Sequence, residues 1–228
     1  MNAILAAHAA NGSPPPLRAE VAFLFNPGLR ATWFVVTGTI GILLVLNGSI
    51  VAAASLVTER ETGTVEQLLL TPATSAEIIA AKLTPLIALL SLDVLLAVGV
   101  ARLVFSIPCR GSFLLLFVAG CLCVIAGVGI GAVIASICRS QQQAQLLSFF
   151  VNAPVALVSG ATTPIEAMPR FLQLLSQCNP VRHFGTIARG VMLKGSGLEQ
   201  LWPELLALAV IGMALLLASA LRFRSALQ

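Results

Sequence analysis

The sequence predicts an all-α polytopic membrane protein with about five transmembrane helices and a short re-entrant or interfacial helical segment. Three observations support this prediction. Hydrophobic residues make up 58% of the 228 residues, and the mean hydropathy is +0.98. Charged residues make up only 10%, whereas soluble domains carry about 25%. The apolar residues fall in blocks of roughly 16 to 26, close to the ~20 that cross a bilayer as a helix.

The beginning of the chain predicts a tail rather than a targeting signal. Residues 1–31 are interpreted as an extracytoplasmic tail or linker, and residues 32–224 as one transmembrane domain. The first residues lack the basic start and continuous apolar core of a signal peptide. Three prolines at 14–16 end any short helix there. The first predicted span covers residues 33–57 and places Trp33 where an interfacial aromatic residue lies.

The second predicted span, residues 85–107, carries a carboxylate near its middle and ends at Pro108. An ionised carboxylate at this depth costs about 3 kcal/mol on insertion scales. Asp93 is therefore expected to face protein or water and not lipid. Two interpretations stay open: a proton or cation site, and a structural hydrogen bond to another helix.

Small residues recur at every fourth position of the third predicted span, residues 113–137. They are Ala119, Cys123, Gly127, Gly131 and Ala135. Side chains four residues apart lie on one face of a helix, so these residues form a ridge that another helix can approach closely. The sequence leaves open whether that helix belongs to the same chain or to a second copy.

A polar, amide-rich run, residues 139–145, is interpreted as the loop between the third and fourth spans. The fourth apolar block, residues 146–161, is short for a straight crossing and is interrupted by Asn152 and Pro154. We expect a broken span here. The following residues, 162–197, mix prolines with scattered basic residues, which favours short interfacial or re-entrant helices.

The last predicted span covers residues 201–221, and the basic residues Arg222 and Arg224 after it favour a cytoplasmic C-terminus. Five crossings then place residues 58–82 in the cytoplasm. Lysines and arginines are divided between the two predicted sides without a clear excess on either. Charge alone therefore does not decide the orientation.

Several classes of function find little support in the composition. The net charge is +4, but the basic residues are scattered and form no patch for nucleic acid. Five cysteines and two isolated histidines show no metal-ligand spacing, and His183 is interpreted as an ordinary loop residue. The Gly-x-x-x-x-Gly-Lys-Ser/Thr pattern of a phosphate-binding loop does not occur. Asp93 is the only acid near the middle of a predicted span, and no histidine lies in a predicted span, so an enzyme within the membrane is not expected.

The charged segment 58–82 is the most informative part of the sequence. Thr58 with Glu61, and Thr74 with Glu77, match the capping-box spacing at which a hydroxyl and a carboxylate satisfy the free N–H groups of a helix start. Two short helices are predicted, separated by a Thr-Pro break. The alternative on pattern alone is a solvated loop.

The same segment resembles the cytoplasmic coupling-helix region of ABC-2 type transporter permeases. The resemblance involves Glu59, Arg60, Glu61, Gly63, Thr64, Glu66, Gln67, Leu68, Thr71 and Pro72. Further landmarks similar to that family are Phe-Asn-Pro at 25–27, the Arg-Ser-Gln run at 139–144 and Asn-Pro at 179–180. Together they extend over nearly the whole chain.

The resemblance implies a permease subunit of an ABC exporter in the bacterial plasma (inner) membrane. It implies a separate ATPase subunit that uses ATP and magnesium, a second permease copy or a homologous permease, and no cofactor bound by this chain. The coupling-helix residues would contact the ATPase. In such a permease, the proton or cation site considered above for Asp93 would lie along the pathway. No local motif encodes the transported substrate.

One departure from the family pattern concerns the start of the chain. Family members usually begin with a further transmembrane helix and an extracytoplasmic region before the Phe-Asn-Pro landmark at 25–27. Two alternatives stay open at this point: a shortened permease, or a sequence whose start is missing. The alternative function is a non-transporting membrane scaffold, or truncated remnant, that retains ATPase docking.

Overall fold

The structure, a computed structural model, describes residues 31–61 and 75–226. Over these residues the chain forms seven α-helices and no strand: α1 Ala31–Glu61, α2 Ser75–Leu103, α3 Phe113–Ala135, α4 Gln141–Val158, α5 Arg170–Ser176, α6 Pro180–Arg189 and α7 Leu198–Ala226. A 3-10 turn, Ile165–Ala167, precedes α5, and a π-helical turn, Gly190–Lys194, follows α6. The predicted all-α class is confirmed.

Four helices of the described part are long and apolar enough to cross a membrane. Their apolar stretches are Thr32–Thr58, Leu83–Leu103, Phe113–Ala135 and Leu198–Arg222. They coincide with the first, second, third and last predicted spans. α1 extends past its predicted span at both ends, and α2 begins before its predicted span, because polar ends of a helix can continue into water while their backbone hydrogen bonds are kept. α2 ends at Leu103, so the predicted end of the second span at residue 107 is wrong.

α4 runs from one end of the bundle to the other. At its start, the backbone N–H of Gln141 donates to the carboxylate of Glu61, the last residue of α1. Just beyond its C-terminus, the backbone of Ala161 lies against Gly38 near the beginning of α1. The 18 residues of α4 cover about 27 Å at 1.5 Å per residue. α4 is therefore antiparallel to α1 and forms a fifth crossing of the bundle.

The expected interruption of this crossing is wrong. Pro154 lies inside α4, and the helix continues to Val158. Asn152 is buried, and its side-chain amide donates to the carbonyl oxygen of Ser148 at 2.7 Å. The Asn152 amide is therefore hydrogen-bonded to the backbone of its own helix, and the helix is not broken at this residue.

The small-residue ridge of α3 packs against α1 of the same chain. The two helices run parallel, with residues 82 apart in contact, as for the Cys123 thiol and the Gly41 carbonyl oxygen. A Cβ atom built on Gly127 would come within 2.7 Å of the Val45 carbonyl oxygen, and one on Gly131 within 2.2 Å of the Ser49 oxygen. Only glycine allows the two backbones to approach this closely.

Helices α5 and α6 form a re-entrant hairpin, one of the two alternatives that the sequence left open for residues 162–197. The Asn179 amide between them donates to the Val155 carbonyl oxygen of α4 at 2.6 Å. Val181 and Phe184 pack on Gly41, about ten residues into α1 and so roughly 15 Å along its axis. After α6 the chain returns to the end of the bundle at which α3 begins. There the Val191 carbonyl oxygen accepts a hydrogen bond from the backbone N–H of Gly111, just before α3. Both arms of the hairpin thus open at the same end of the bundle.

Candidate functional site

The end of the bundle at which α1 finishes and α2 begins carries the predicted coupling segment; we refer to it as the Glu61 end. Most of the predicted coupling residues lie outside the described residues: Gly63, Thr64, Glu66, Gln67, Leu68, Thr71 and Pro72. The backbone of Glu59 and Arg60 lies in α1, and Glu61 is the last residue of that helix. The described part of the site is therefore the junction between Glu61 and the α3–α4 connection.

Glu61 caps a helix other than its own. Its Oε1 atom accepts a hydrogen bond of 3.0 Å from the backbone N–H of Gln141, the first residue of α4. The first N–H groups of a helix have no partner within the helix, and the positive end of the helix dipole favours a carboxylate. The contact joins the end of α1 to the beginning of α4.

The beginning of α4 is also held by its own capping residues. Ser140 Oγ accepts a hydrogen bond from the backbone of Gln143 at 3.2 Å, and the Gln143 side chain accepts one from the backbone of Arg139 at 3.0 Å. This is close to the reciprocal pattern of a capping box. The prediction that the amide-rich run is a loop is wrong, since Gln141 begins a helix. The spacing Ser140-x-x-Gln143 was the signal for it.

Thr58 does not start a helix. It lies inside α1, and its hydroxyl donates to the carbonyl oxygen of Ala54 at 2.8 Å. Residues 58–61, where the first short helix was predicted to begin, instead continue α1, because a threonine within a helix can bond back to the carbonyl four residues earlier. The rest of that predicted helix lies outside the described residues. α2 begins at Ser75, directly after the second predicted capping residue, Thr74, which lies outside the described residues.

Asp93 lies on α2 at the edge of its buried face. Its neighbour Val94 is buried against Gly120 of α3, whereas Asp93 itself is half-buried. Among the described residues, no hydrogen bond or ion pair of Asp93 is formed. The hydrogen bond to another helix that the sequence left open is thus not seen in the described part of the chain.

A second group of polar residues lies at the opposite end of the bundle, which we call the Phe34 end. His183 is buried in α6, so its prediction as an ordinary loop residue is wrong. Its Nδ1 atom contacts the carboxylate of Glu204 in α7, and its Nε2 atom lies 2.8 Å from the carbonyl oxygen of Gln177. The signal for the helix was Asn179-Pro180, a capping residue followed by proline.

Two arginines at the Phe34 end differ in how they are bonded. Arg182 donates to the Gln173 carbonyl oxygen at 3.0 Å and to the hydroxyl of Ser176, which joins α6 to α5. The Arg189 guanidinium instead lies 4.6 Å from the ring centre of Phe34. Burial lowers the pKa of Arg189 below its usual range, and the charge of Glu166 opposes this shift.

Comparison with known proteins gives a consistent family. The family described as "ABC-2 family transporter protein" matches residues 1–221. The chain is 36% identical over 204 residues to "Probable multidrug ABC transporter permease YbhR" of Escherichia coli (strain K12), covering 88% of this chain and 55% of that protein. It is 34% identical over 220 residues to "Inner membrane transport permease YhhJ" of the same strain, covering 94% and 58%.

A more distant relative is "ABC transporter G family member 20" of Dictyostelium discoideum, 24% identical over 205 residues that cover 89% of this chain and 28% of that protein. The chain spans about half the length of the two bacterial relatives. The family match includes helices α1 to α6 and most of α7, among them the four apolar helices of a multi-pass membrane protein. The resemblance found in the sequence is therefore confirmed, and the chain belongs to the ABC-2 transporter family.

Proposed function

We propose that this chain is the permease subunit of an ABC exporter in the bacterial plasma membrane, and that a separate ATPase subunit drives it. The observation that carries the proposal is the junction at the Glu61 end. There the last residue of α1, which belongs to the predicted coupling segment 58–82, is hydrogen-bonded to the first residue of α4. A force applied to this segment reaches two spans at once.

The packing of α1 suggests how such a force would spread. α1 and α3 approach backbone to backbone at Gly127 and Gly131, so they are expected to move as one body, since close-packed interiors transmit displacement. α4 is attached to the same body through Glu61 and Gln141. In the proposed cycle, closure of the ATPase pushes on segment 58–82 and tilts these helices together, which changes access to the pathway.

The exposed faces of α1 and α4 are the proposed lining of the pathway. On α1, Asn47 is exposed between the exposed apolar residues Leu43 and Val51. On α4, Phe149 and Phe150 are exposed. An amide facing hydrocarbon would be costly, whereas it is satisfied when it meets water, cargo or a second permease copy. Since the relative YbhR is named a probable multidrug permease, drugs are the cargo class to examine first.

The proposal is tested by reversing charge in the coupling segment. The variant Glu59→Lys, Glu61→Lys and Glu66→Lys is expected to insert in the membrane at the wild-type level but to retain much less ATPase during co-purification. The matched control reverses Glu166 and Glu199, two exposed carboxylates at the Phe34 end, and is expected to retain the ATPase fully. Equal retention by wild type and the triple variant would contradict the proposal.

Reconstitution separates this function from its alternative. An exporter permease is expected to give a complex whose ATP hydrolysis rises when cargo is added and whose vesicles accumulate that cargo. A complex that holds the ATPase but shows neither response would instead favour the non-transporting scaffold. The two readouts are independent of the docking test, since they require an intact pathway.

A further inference from the structure

A cavity of about 570 Å³ opens at the Phe34 end, between α6, the π-helical turn, α7 and the beginning of α1. Its wall contains both polar and apolar side chains. Arg189 and Lys194 provide two cationic groups, and Thr186, Ser196 and Gln200 provide hydroxyl and amide groups. No carboxylate of the described residues lines this cavity. Such a wall suits an anion.

Arg189 is the central residue of this wall. Its Nη1 atom is buried and has no hydrogen-bond partner among the described residues. Arg182, about two turns earlier on α6, is bonded to α5 and is not available in the same way. A buried guanidinium N–H without a partner is costly, and an anion that supplies the partner removes that cost. The planar guanidinium also matches two oxygens of a phosphate or carboxylate.

Two nearby carboxylates line a neighbouring cavity instead. A smaller cavity of about 350 Å³ shares Phe34, Thr186 and Arg189 with the first one, and Glu166 and Glu204 line it. Glu204 is already engaged by His183. Glu166 is exposed and acts on Arg189 through its charge. Glu166 does not line the larger cavity. Its negative charge reduces the positive potential that Arg189 and Lys194 create there.

The depth of the cavity indicates which anion it meets. Phe34 is the fourth residue of α1, and Leu201 is the fourth residue of α7. Trp33 and Trp202 occupy the adjacent positions, and Trp202 is exposed. Tryptophan is enriched at the level of lipid headgroups. The cavity therefore lies where the phosphates of the surrounding leaflet are found, with apolar surface of α7 beside it.

We propose that this cavity is a phosphate-binding site, in which Arg189 and Lys194 bind the phosphate group of an anionic phospholipid headgroup. A free phosphate carries the same chemistry and is the second source to be distinguished. The site is independent of the ATPase and of the cargo proposed above. Its occupation would fix the re-entrant hairpin to α7 and to the beginning of α1.

The experiment uses the full chain purified in detergent and native mass spectrometry. The protein is titrated with phosphatidylglycerol and, in a parallel arm, with diacylglycerol that has the same acyl chains but no phosphate. Wild type is expected to retain phosphatidylglycerol and to lose diacylglycerol. The Arg189→Gln variant is expected to bind phosphatidylglycerol about tenfold more weakly, the effect of losing one charge-assisted hydrogen-bonded contact.

Three further variants make the result decisive. Lys194→Gln, an exposed position, is expected to weaken retention without loss of fold, and Glu166→Gln is expected to strengthen it. Arg170→Gln removes an exposed arginine of α5 at the same end and is the matched control, with no change expected. Equal retention by wild type, Arg189→Gln and Lys194→Gln would overturn the proposal.

A separate arm identifies the source of the phosphate. Inorganic phosphate at millimolar concentration is added to wild type and to Arg189→Gln, and thermal unfolding is compared with that in chloride at equal ionic strength. Stabilisation of wild type alone supports a site for soluble phosphate. Selective phosphatidylglycerol retention without that stabilisation supports the lipid headgroup. Absence of both effects rejects the site.

Discussion

The carboxylate of Glu61 accepts a hydrogen bond of 3.0 Å from the backbone N–H of Gln141. These residues are the last of α1 and the first of α4, 80 residues apart in the chain. The contact places a negative charge at the positive end of the α4 dipole and ties two antiparallel crossings together. It leads directly from the predicted coupling segment into another span.

Replacement of Glu61 tests this contact separately from docking. Glu61→Gln keeps an acceptor oxygen for the Gln141 N–H, whereas Glu61→Lys places a positive charge at the positive helix end. We expect Glu61→Lys to reduce cargo-stimulated ATP hydrolysis of the reconstituted complex and Glu61→Gln to retain most of it. Equal loss in both variants would show that the charge touches the ATPase and not α4.

The start of α4 offers a test of stability. Ser140→Ala removes the hydroxyl that accepts from the Gln143 N–H and is expected to cost about 1 kcal/mol. Ser140→Asp restores an acceptor at the same position and is the matched control. Thermal unfolding in detergent measures both, and an unchanged Ser140→Ala midpoint would argue against a stabilising cap.

The α1–α3 contact predicts unequal effects of two glycine substitutions. A Cβ atom on Gly131 would meet the Ser49 carbonyl oxygen at 2.2 Å, whereas one on Gly99 of α2 meets nothing within 4 Å. Gly131→Ala is expected to destabilise the protein by roughly 1–3 kcal/mol through overpacking. Gly99→Ala is expected to be neutral or to stabilise it by up to about 1 kcal/mol, because alanine favours helix. The unfolding midpoints of the two variants are measured in the same detergent. Similar midpoints would contradict the close contact between α1 and α3.

The His183–Glu204 pair predicts coupling between the re-entrant hairpin and α7. His183 is almost completely buried, and the Glu204 side chain is one-third exposed. Single replacements by glutamine are each expected to destabilise the protein, and the double variant to cost less than their sum, with a coupling of about 0.5–2 kcal/mol. A double-mutant cycle on thermal unfolding measures this term. Additive effects would mean that the two side chains do not stabilise each other.

The sequence by itself determined the membrane character and the positions of four spans. Hydropathy over about 20 residues is a local property, so it can be summed along the chain without knowledge of neighbours. The every-fourth-residue ridge of α3 is local too, and it predicted a close helix contact. The re-entrant segment was predicted because prolines between short helical pieces exclude a long straight helix.

Only the tertiary structure decided which surfaces meet. The ridge of α3 lies against α1 because Gly127 and Gly131 fit backbone atoms 82 residues earlier in the chain, a register that no local pattern contains. Thr58 lies inside a helix, and Glu61 caps a distant one, because its partner N–H comes from α4. His183 finds Glu204 for the same reason. Hydrogen bonds and close packing depend on residues brought together by folding, whereas hydropathy depends on each residue alone.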